Sequence, residues 1–383
     1  MQQEGEIFMH FLRYVALMLA FAVTLPCLRG NAVSEGSQHT YASVLMEAES
    51  GSVLRETNAQ EQLPIGSLAK LMTVYLAVEA VSAGEWHMDT LLTAPLSAQT
   101  QNGAVIWLIS GEKMSVRDLL KGVIIGNAND AAVTLACCLS GSEAQFAADM
   151  NAAAFSLGMR STCFADATGL SPDNRSTAQD MALLCRALLQ YDFLIPIFTT
   201  WRDFLRGEQT ELVNENTLTR TYDGILGLKA GHGEPSGYTL CAAAEQGEMR
   251  CIAVVLGCDD ESERFTYAKN LLRAGFSEYH VVTPDFDTEF LRPVTVRGGV
   301  TGAVSLSAEG LLCTAVPNGK SLSCVIVLPQ YVKAPVEQGK ILGEAAFYCG
   351  DALVYEVPLR AAETVAKKRL RDCFAVLLEN LFK

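Results

Sequence analysis

Positive charge is scarce in this chain. Lys and Arg number 29 against 43 Asp and Glu, a formal charge of −14. With no surplus of cations to neutralise a phosphate backbone, nucleic-acid binding is excluded. Histidine is rarer: five in 383 residues. None of them sits in a metal-ligand spacing and no Cys-x2-Cys pair occurs, so no metal and no cofactor is expected. Cysteine, at 12 residues, is too sparse for a disulfide scaffold. Low-complexity tracts and internal repeats are missing, and half of the residues are hydrophobic, which rules out a disordered or collagenous chain. The length suits two or three domains with cores of their own.

A membrane-spanning run is also lacking near the N-terminus. The apolar stretch at 14–25, YVALMLAFAVTL, reaches only about 18 Å as a helix, against roughly 30 Å of hydrocarbon. Arg13 precedes it, Pro26 follows, and Gly30-Asn31-Ala32 forms a small-residue exit. That pattern reads as a secretory signal over residues 1–35, the alternative being a buried helix. The acidic leader is odd for a signal, and Met9 makes a better start than Met1. The TLPC run ending at Cys27 is a poor lipobox. Export makes the thiols unusual. Removing Cys27 leaves eleven, an odd number, and most lie in apolar runs such as those around Cys137-Cys138, Cys185 and Cys251. Buried free thiols are expected, in a host with a reducing or anaerobic exterior.

What is present is strongly periodic. Segments 41–46 and 52–55 flank Glu49-Ser50-Gly51 as a hairpin. Helical spacing follows at 67–81, 116–125, 131–139, 144–157 and 177–189, the last opening on Thr177 and Asp180 in capping positions. Strands are expected at 225–230, 238–244 and 250–257, with a closing helix at 261–274. This order predicts an α+β domain over 36–282 whose first and last strands share one sheet. Residues 285–359 carry short alternating segments between turn clusters, a small β-rich domain. Residues 361–383 read as an amphipathic helix. Ala366, Leu370, Cys373, Phe374, Leu377, Leu378 and Leu381 share one face, and Lys368, Arg369, Asp372, Glu379 and Lys383 the other. With Lys367-Lys368-Arg369 this suits an in-plane helix on an anionic membrane surface; docking on the second domain or on another subunit is the alternative.

Three fragments carry chemistry. Ser67-Leu68-Ala69-Lys70 places a hydroxyl and an ammonium three residues apart on one helix face, at the end where N–H groups are free. A serine becomes nucleophilic when a neighbouring base takes its proton, and a desolvated lysine can be that base. Asn127-Ala128-Asn129 lies at a helix–helix junction, and Lys229-Ala230-Gly231 on a strand. Singly, each has a plain structural explanation: an N-cap serine, a capping turn, an edge lysine beside a glycine turn. Jointly, in this order, they do not.

With ASVLMEAESGSVL, SGEKMSVRDLLKGVIIGNANDAAVTLA, FADATGLSPDNRSTAQDMALL, NENTL and GLKAGHGEPSGYTLCAAAEQGEMRCIAVVLG, they resemble the D-alanyl-D-alanine carboxypeptidases, low-molecular-mass penicillin-binding proteins marked by S-x-x-K, S-x-N and K-T-G. The likeness covers about residues 40–280, and 285–359 resembles the β-rich domain that follows in that family. It implies a serine β-lactamase/penicillin-binding-protein-like catalytic fold, an antiparallel sheet with a helical block. It also implies peptidoglycan stem peptides ending in D-Ala-D-Ala as substrate and β-lactam antibiotics as ligands. By resemblance Ser67 is the nucleophile, Lys70 its base, and Asn129 orients the substrate amide. Asn127 and Lys229 face the substrate, Gly231 belongs to the third motif, and Ser67 and His232 supply oxyanion N–H groups. Arg264 helps hold the terminal carboxylate.

Two positions depart from the family. Asn127 stands where serine is usual, and an amide does not readily relay a proton. Ala230 stands where threonine is usual. Each loss costs on the order of 1–3 kcal/mol of transition-state stabilisation, about ten- to a hundredfold in rate. The expectation is an active but slow enzyme, the alternative a silent cell-wall-binding relative. A class A β-lactamase needs a further glutamate, and the nearest lookalike, Glu211-Leu212-Val213-Asn214, lies only 18 residues before Lys229, too late in the chain.

Overall fold

The computed structural model describes residues 41–282, 291–308 and 313–369. The expected signal at 1–35 and residues 370–383 of the expected terminal helix lie outside these.

The larger part of the chain, up to residue 282, is built on one five-stranded antiparallel sheet. Its strands are β1 (Ala42–Glu47), β2 (Val53–Thr57), β3 (Ile225–Gly233), β4 (Gly237–Gln246) and β5 (Met249–Cys258), in the order β2-β1-β5-β4-β3. The first strand therefore pairs with the last, Ala42 opposite Leu256 and Glu47 opposite Cys251. The inner strands read as continuous apolar runs because both faces are covered, and the period of two assigns each residue to a face. Val44, Met46, Cys241, Ala243, Ile252 and Val254 join the large core under the helical block. Leu45, Leu240, Ala242, Cys251, Ala253 and Val255 join a second core with Phe265, Ala268 and Leu272.

The helical block comprises α1 (Lys70–Ser82), α2 (Val116–Ile124), α3 (Asn129–Ser140), α4 (Glu143–Ser156) and α5 (Ala178–Leu188). A sixth helix, α6 (Glu261–Glu278), covers the other face. α1 is buried on almost every side, so it is apolar all round rather than striped. Ser115, Ser142 and Thr177 each accept the N–H three residues on and so open α2, α4 and α5. α3 ends on Gly141 at φ 78°, a left-handed cap that glycine adopts without a Cβ clash. A surface hairpin, Arg202–Leu205 with Thr210–Val213, had no clear signal in sequence: its strands are four residues long and its turn carries Arg206, Gly207 and Glu208 at positive φ.

Beyond α6 the chain becomes β-rich. One sheet has the order Leu306–Ala308, Ala352–Ala361, Ile341–Cys349, Leu322–Val327; another joins Ala303–Val304, Val294–Arg297 and Tyr331–Lys333. Tyr279–Val282, directly after α6, pairs with Thr314–Pro317 and ties the two parts together. Tyr279 also donates to Leu54 O at 2.9 Å, and Asn318 donates to Ser277 O at 2.8 Å.

Here one expectation is corrected. Residues 361–369 are not helical: Val365 is buried and bridges Val336, Lys367 bridges Gly299, and Lys368 N–H bonds Gly298 O at 2.8 Å. Over these residues the chain is extended, with Val365 buried and Thr364, Ala366 and Lys367 beside it exposed, so the helix face expected to include Ala366 does not form here. The β-rich domain thus runs past 359 and takes in the basic cluster. The thiols divide: Cys185, Cys241, Cys251 and Cys258 are buried as expected, whereas Cys137 and Cys138 are only half-buried and Cys163 and Cys324 are exposed.

Candidate active site

Ser67 lies in a single 3-10 turn, Gly66–Ala69, that runs straight into α1. The turn is wedged between two glycines. A Cβ on Gly231 would stand 3.1 Å from Ser67 Cβ and 3.0 Å from Thr239 Oγ1. A Cβ on Gly169, at φ 83°, would overlap the Gly66 carbonyl. Both glycines are required by close approach to the nucleophile turn.

One turn on, Lys70 is 1% exposed. Its Nζ donates to Thr168 O at 2.7 Å. Burial, and then the neighbouring Lys229, push its pKa well below the ordinary lysine value; Glu215 and Asp166 pull the other way without restoring it. Thr168 is held in place by Asp166, whose carboxylate accepts the N–H groups of Thr168, Gly169 and Ser171 and the Thr168 hydroxyl. Those bonds hold its pKa below the usual carboxylate range, against the opposing effect of burial. Asp166 and Thr168 lie in the FADATGL stretch, which sequence comparison marked without a role.

The second motif turns at Asn127, which is left-handed at φ 55°, a conformation asparagine tolerates better than most residues. Its Nδ2 lies 3.4 Å from Ser67 Oγ and 3.1 Å from Glu215 Oε1. Asn129, the first residue of α3, donates Nδ2 to Asn102 O at 2.6 Å. The Oδ1 atoms of Asn127 and Asn129 are both buried with no hydrogen-bond partner among the described residues. Buried polar atoms are seldom left so outside functional sites. Asp130 follows in the first turn and accepts the N–H groups of Ile106 and Leu108, which fastens the 102–108 segment over the same helix end.

From β3, Lys229 donates Nζ to Val123 O at 3.1 Å. Burial lowers its pKa to about 8, opposed by Glu215, so it stays largely protonated at neutral pH. His232 is exposed at the strand end, its Nδ1 3.6 Å from Glu215 Oε2. Arg264, expected to help hold the terminal carboxylate, is buried. It is 1% exposed, donates to Gly231 O at 2.6 Å and to Glu261 at 3.0 Å, and lies against Tyr238 and Phe265. It stands behind β3 and braces the strand. A cavity of about 210 Å³ beside Ser67 is lined by Gly169, Leu170, Ser171, His232 and Pro235, among others.

The fold thus brings Ser67, Lys70, Asn127, Lys229 and Gly231 into one cleft, with Asn129 at the same helix end and His232 at its rim. The residue missed by sequence is Glu215. Its predecessor Glu211, weighed as a β-lactamase lookalike, sits on the surface hairpin paired with Arg202 at 2.5 Å and takes no part.

A serine at a helix start, backed by a buried and neutral-leaning lysine and faced by a second, charged lysine, is the equipment of a serine acyl hydrolase for an anionic substrate. Comparison with known proteins agrees. Residues 29–260 match the D-alanyl-D-alanine carboxypeptidase family model and 289–367 that of the penicillin-binding protein 5 C-terminal domain. The chain is 32% identical to D-alanyl-D-alanine carboxypeptidase DacF of Bacillus subtilis, over 88% of this chain and 89% of the relative. It is 33% identical to DacC of Escherichia coli over 85% and 84%. Penicillin-binding protein 5 of Haemophilus influenzae superposes with a TM-score of 0.79 at 26% identity, covering 88% of this chain and all of that one. The chain belongs to the serine-type D-alanyl-D-alanine carboxypeptidases, with the catalytic and β-rich C-terminal domains of a low-molecular-mass penicillin-binding protein.

Proposed function

We propose that Ser67 is the nucleophile of this carboxypeptidase and that it attacks the carbonyl between the two terminal D-alanines of a peptidoglycan stem pentapeptide. The observation that carries this is Lys70. A lysine pushed toward its neutral form by burial, one turn from a serine and with its Nζ held by Thr168 O, is poised to take the serine proton. The attack gives a tetrahedral oxyanion that the N–H groups of Ser67 and His232 receive. Lys70 then returns the proton to the leaving D-alanine nitrogen, because the Asn127 amide does not relay it. Water hydrolyses the acyl-enzyme and frees the shortened stem. Asn129 orients the substrate amide with its unpartnered Oδ1. Lys229 supplies positive potential for the terminal carboxylate. Arg264 acts through the Gly231 carbonyl, keeping β3 pressed against Ser67. β-Lactams acylate the same serine.

The reading includes an exported location on the outer face of the cytoplasmic membrane, with contact to an anionic lipid surface through the C-terminal residues. A fluorescent penicillin tests the site: covalent labelling of the wild type, lost in Ser67→Ala, is expected. Released D-alanine from a pentapeptide then separates turnover from mere acylation; labelling without release leaves only a penicillin-binding relative. Flotation of the full chain and of a chain ending at 369 with phosphatidylglycerol vesicles tests the surface contact, which fails if both float equally.

A further inference from the structure

Glu215 is the only carboxylate among the described residues bonded to a motif side chain of the cleft, and nothing in the three motifs calls for it. It sits between Asn214 and Asn216, both buried. Asn214 bonds Asn216 N–H and Thr200 O, and Asn216 donates to Gly227 O at 3.2 Å. The two asparagines lock the backbone, so the side chain between them is aimed rather than free. It reaches Asn127 Nδ2 with Oε1 at 3.1 Å, while Oε2 is buried with no hydrogen-bond partner among the described residues and lies 3.6 Å from His232 Nδ1.

An ionised carboxylate only accepts hydrogen bonds. Against it, the Asn127 amide is stable in one orientation, NH2 toward Glu215, because the flipped form would set Oδ1 against negative charge. The second N–H of the same nitrogen then faces Ser67 Oγ, at 3.4 Å. The bond is long in the free enzyme, and such contacts tighten as charge builds on the oxygen. The basic groups around the glutamate are Lys70 on α1, Lys229 on β3 and Arg264 on α6, with the His232 ring 3.6 Å from Oε2 at the strand end. Lys70 is faced in turn by Lys229, Glu215 and Asp166.

We propose that Glu215 is the positioning residue of the second motif: it holds the Asn127 amide with its donor toward the Ser67 hydroxyl, and its charge sets the pH range in which Lys70 and Lys229 work. The proposal rests on the reading of Ser67 and Lys70 as nucleophile and base.

The charge part has a definite sign. A carboxylate favours the protonated form of both lysines. Removing it lowers both pKa values, so Lys70 becomes free base at lower pH and Lys229 loses its proton at lower pH. Both limbs of the rate profile move in the acid direction.

The test is the second-order rate of acylation by a fluorescent penicillin as a function of pH, on Glu215→Gln, Glu215→Ala, Asn127→Ser and the doubles. Glu215→Gln keeps an acceptor for Asn127 and is expected to hold the peak rate within about threefold, while both limbs move down by about half a pH unit or more. Glu215→Ala is expected to slow acylation about tenfold. In the Asn127→Ser background the Glu215→Ala substitution is expected to cost less than about threefold, because a serine needs no orienting partner. The proposal is overturned if the Gln variant leaves both limbs in place, or if Glu215→Ala costs as much in the Asn127→Ser background as in the wild type. A loss of labelling through misfolding shows in the melting temperature of each variant. If Ser67→Ala still labels, the parent assignment fails instead, and the two failures are distinguishable.

Discussion

The two halves of the molecule treat charge in opposite ways. In the catalytic part Glu47, Lys70, Asp130, Asp180, Lys229 and Arg264 are all buried. In the β-rich part the core, from Leu291 through Phe347 to Val365, is apolar; Thr314, at the junction, is buried, and the half-buried Tyr355 keeps its hydroxyl buried with no hydrogen-bond partner among the described residues. Burying an ion costs several kcal/mol unless partners repay it. Glu47, Asp130 and Asp180 are repaid by N–H groups and hydroxyls, and they are structural. Lys70 and Lys229 each have a single carbonyl partner and a depressed pKa. An incompletely repaid charge marks where a fold has given up stability for reactivity. The β-rich part buries no charged side chain among its described residues.

This contrast can be broken most directly at the nucleophile. Ser67→Ala should cut D-alanine release by at least about a thousandfold while leaving the melting temperature within a degree or two; a variant that still turns over places the chemistry elsewhere. Next is the opposite operation. Phe347→Ala, which removes a buried ring stacked on Tyr355 at 4.7 Å, should destabilise by about 3–5 kcal/mol, with penicillin labelling unchanged below its melting point. Labelling lost together with the fold at that position would show the halves to be one cooperative unit.

Lys229→Met sharpens the comparison because it should do two things at once. The buried cation is removed, so stability should rise by about 1 kcal/mol or more, while kcat/KM falls at least about tenfold. Stability falling along with activity would mean Lys229 is repaid after all. In the wild type the same lysine sets an alkaline limb. Its pKa is lowered to about 8, so the charged form is lost, and the rate should decline, as pH rises through about 8. Restoration has the smallest effects. Asn127→Ser should raise kcat/KM about tenfold or less. Ala230→Thr should give about threefold or less, since Ala230 is buried in the core beneath α6 with Leu218 and Leu240 and its Cβ lies away from the large core under α1.

Much of this was legible beforehand because it depends on neighbours in sequence. Thr177 and Asp180 announce a capped helix, and the cap is made. The apolar runs between glycine turns from 225 to 257 become three adjacent strands of one sheet. Where the reading failed, the pattern was ambiguous in itself. The helix face was read mainly from residues beyond 369 and carried back over 361–369, where pairing of Val365 with Val336 fixes an extended chain. Arg264, expected to help hold the terminal carboxylate, lies buried against Tyr238 with a bond to Gly231 O, a placement that local sequence does not show.

The chain itself determined which groups could react: Ser67 and Lys70 share a helix start, and no fold could separate them. It determined also that Asn127 and Ala230 are departures. Tertiary structure alone decided how reactive those groups are. The desolvation of Lys70, its Thr168 partner nearly a hundred residues away in sequence, and the arrival of Glu215 beside Asn127 all depend on which distant segments close over the cleft. Electrostatic work depends on distance and on exclusion of water, and neither is written in local sequence.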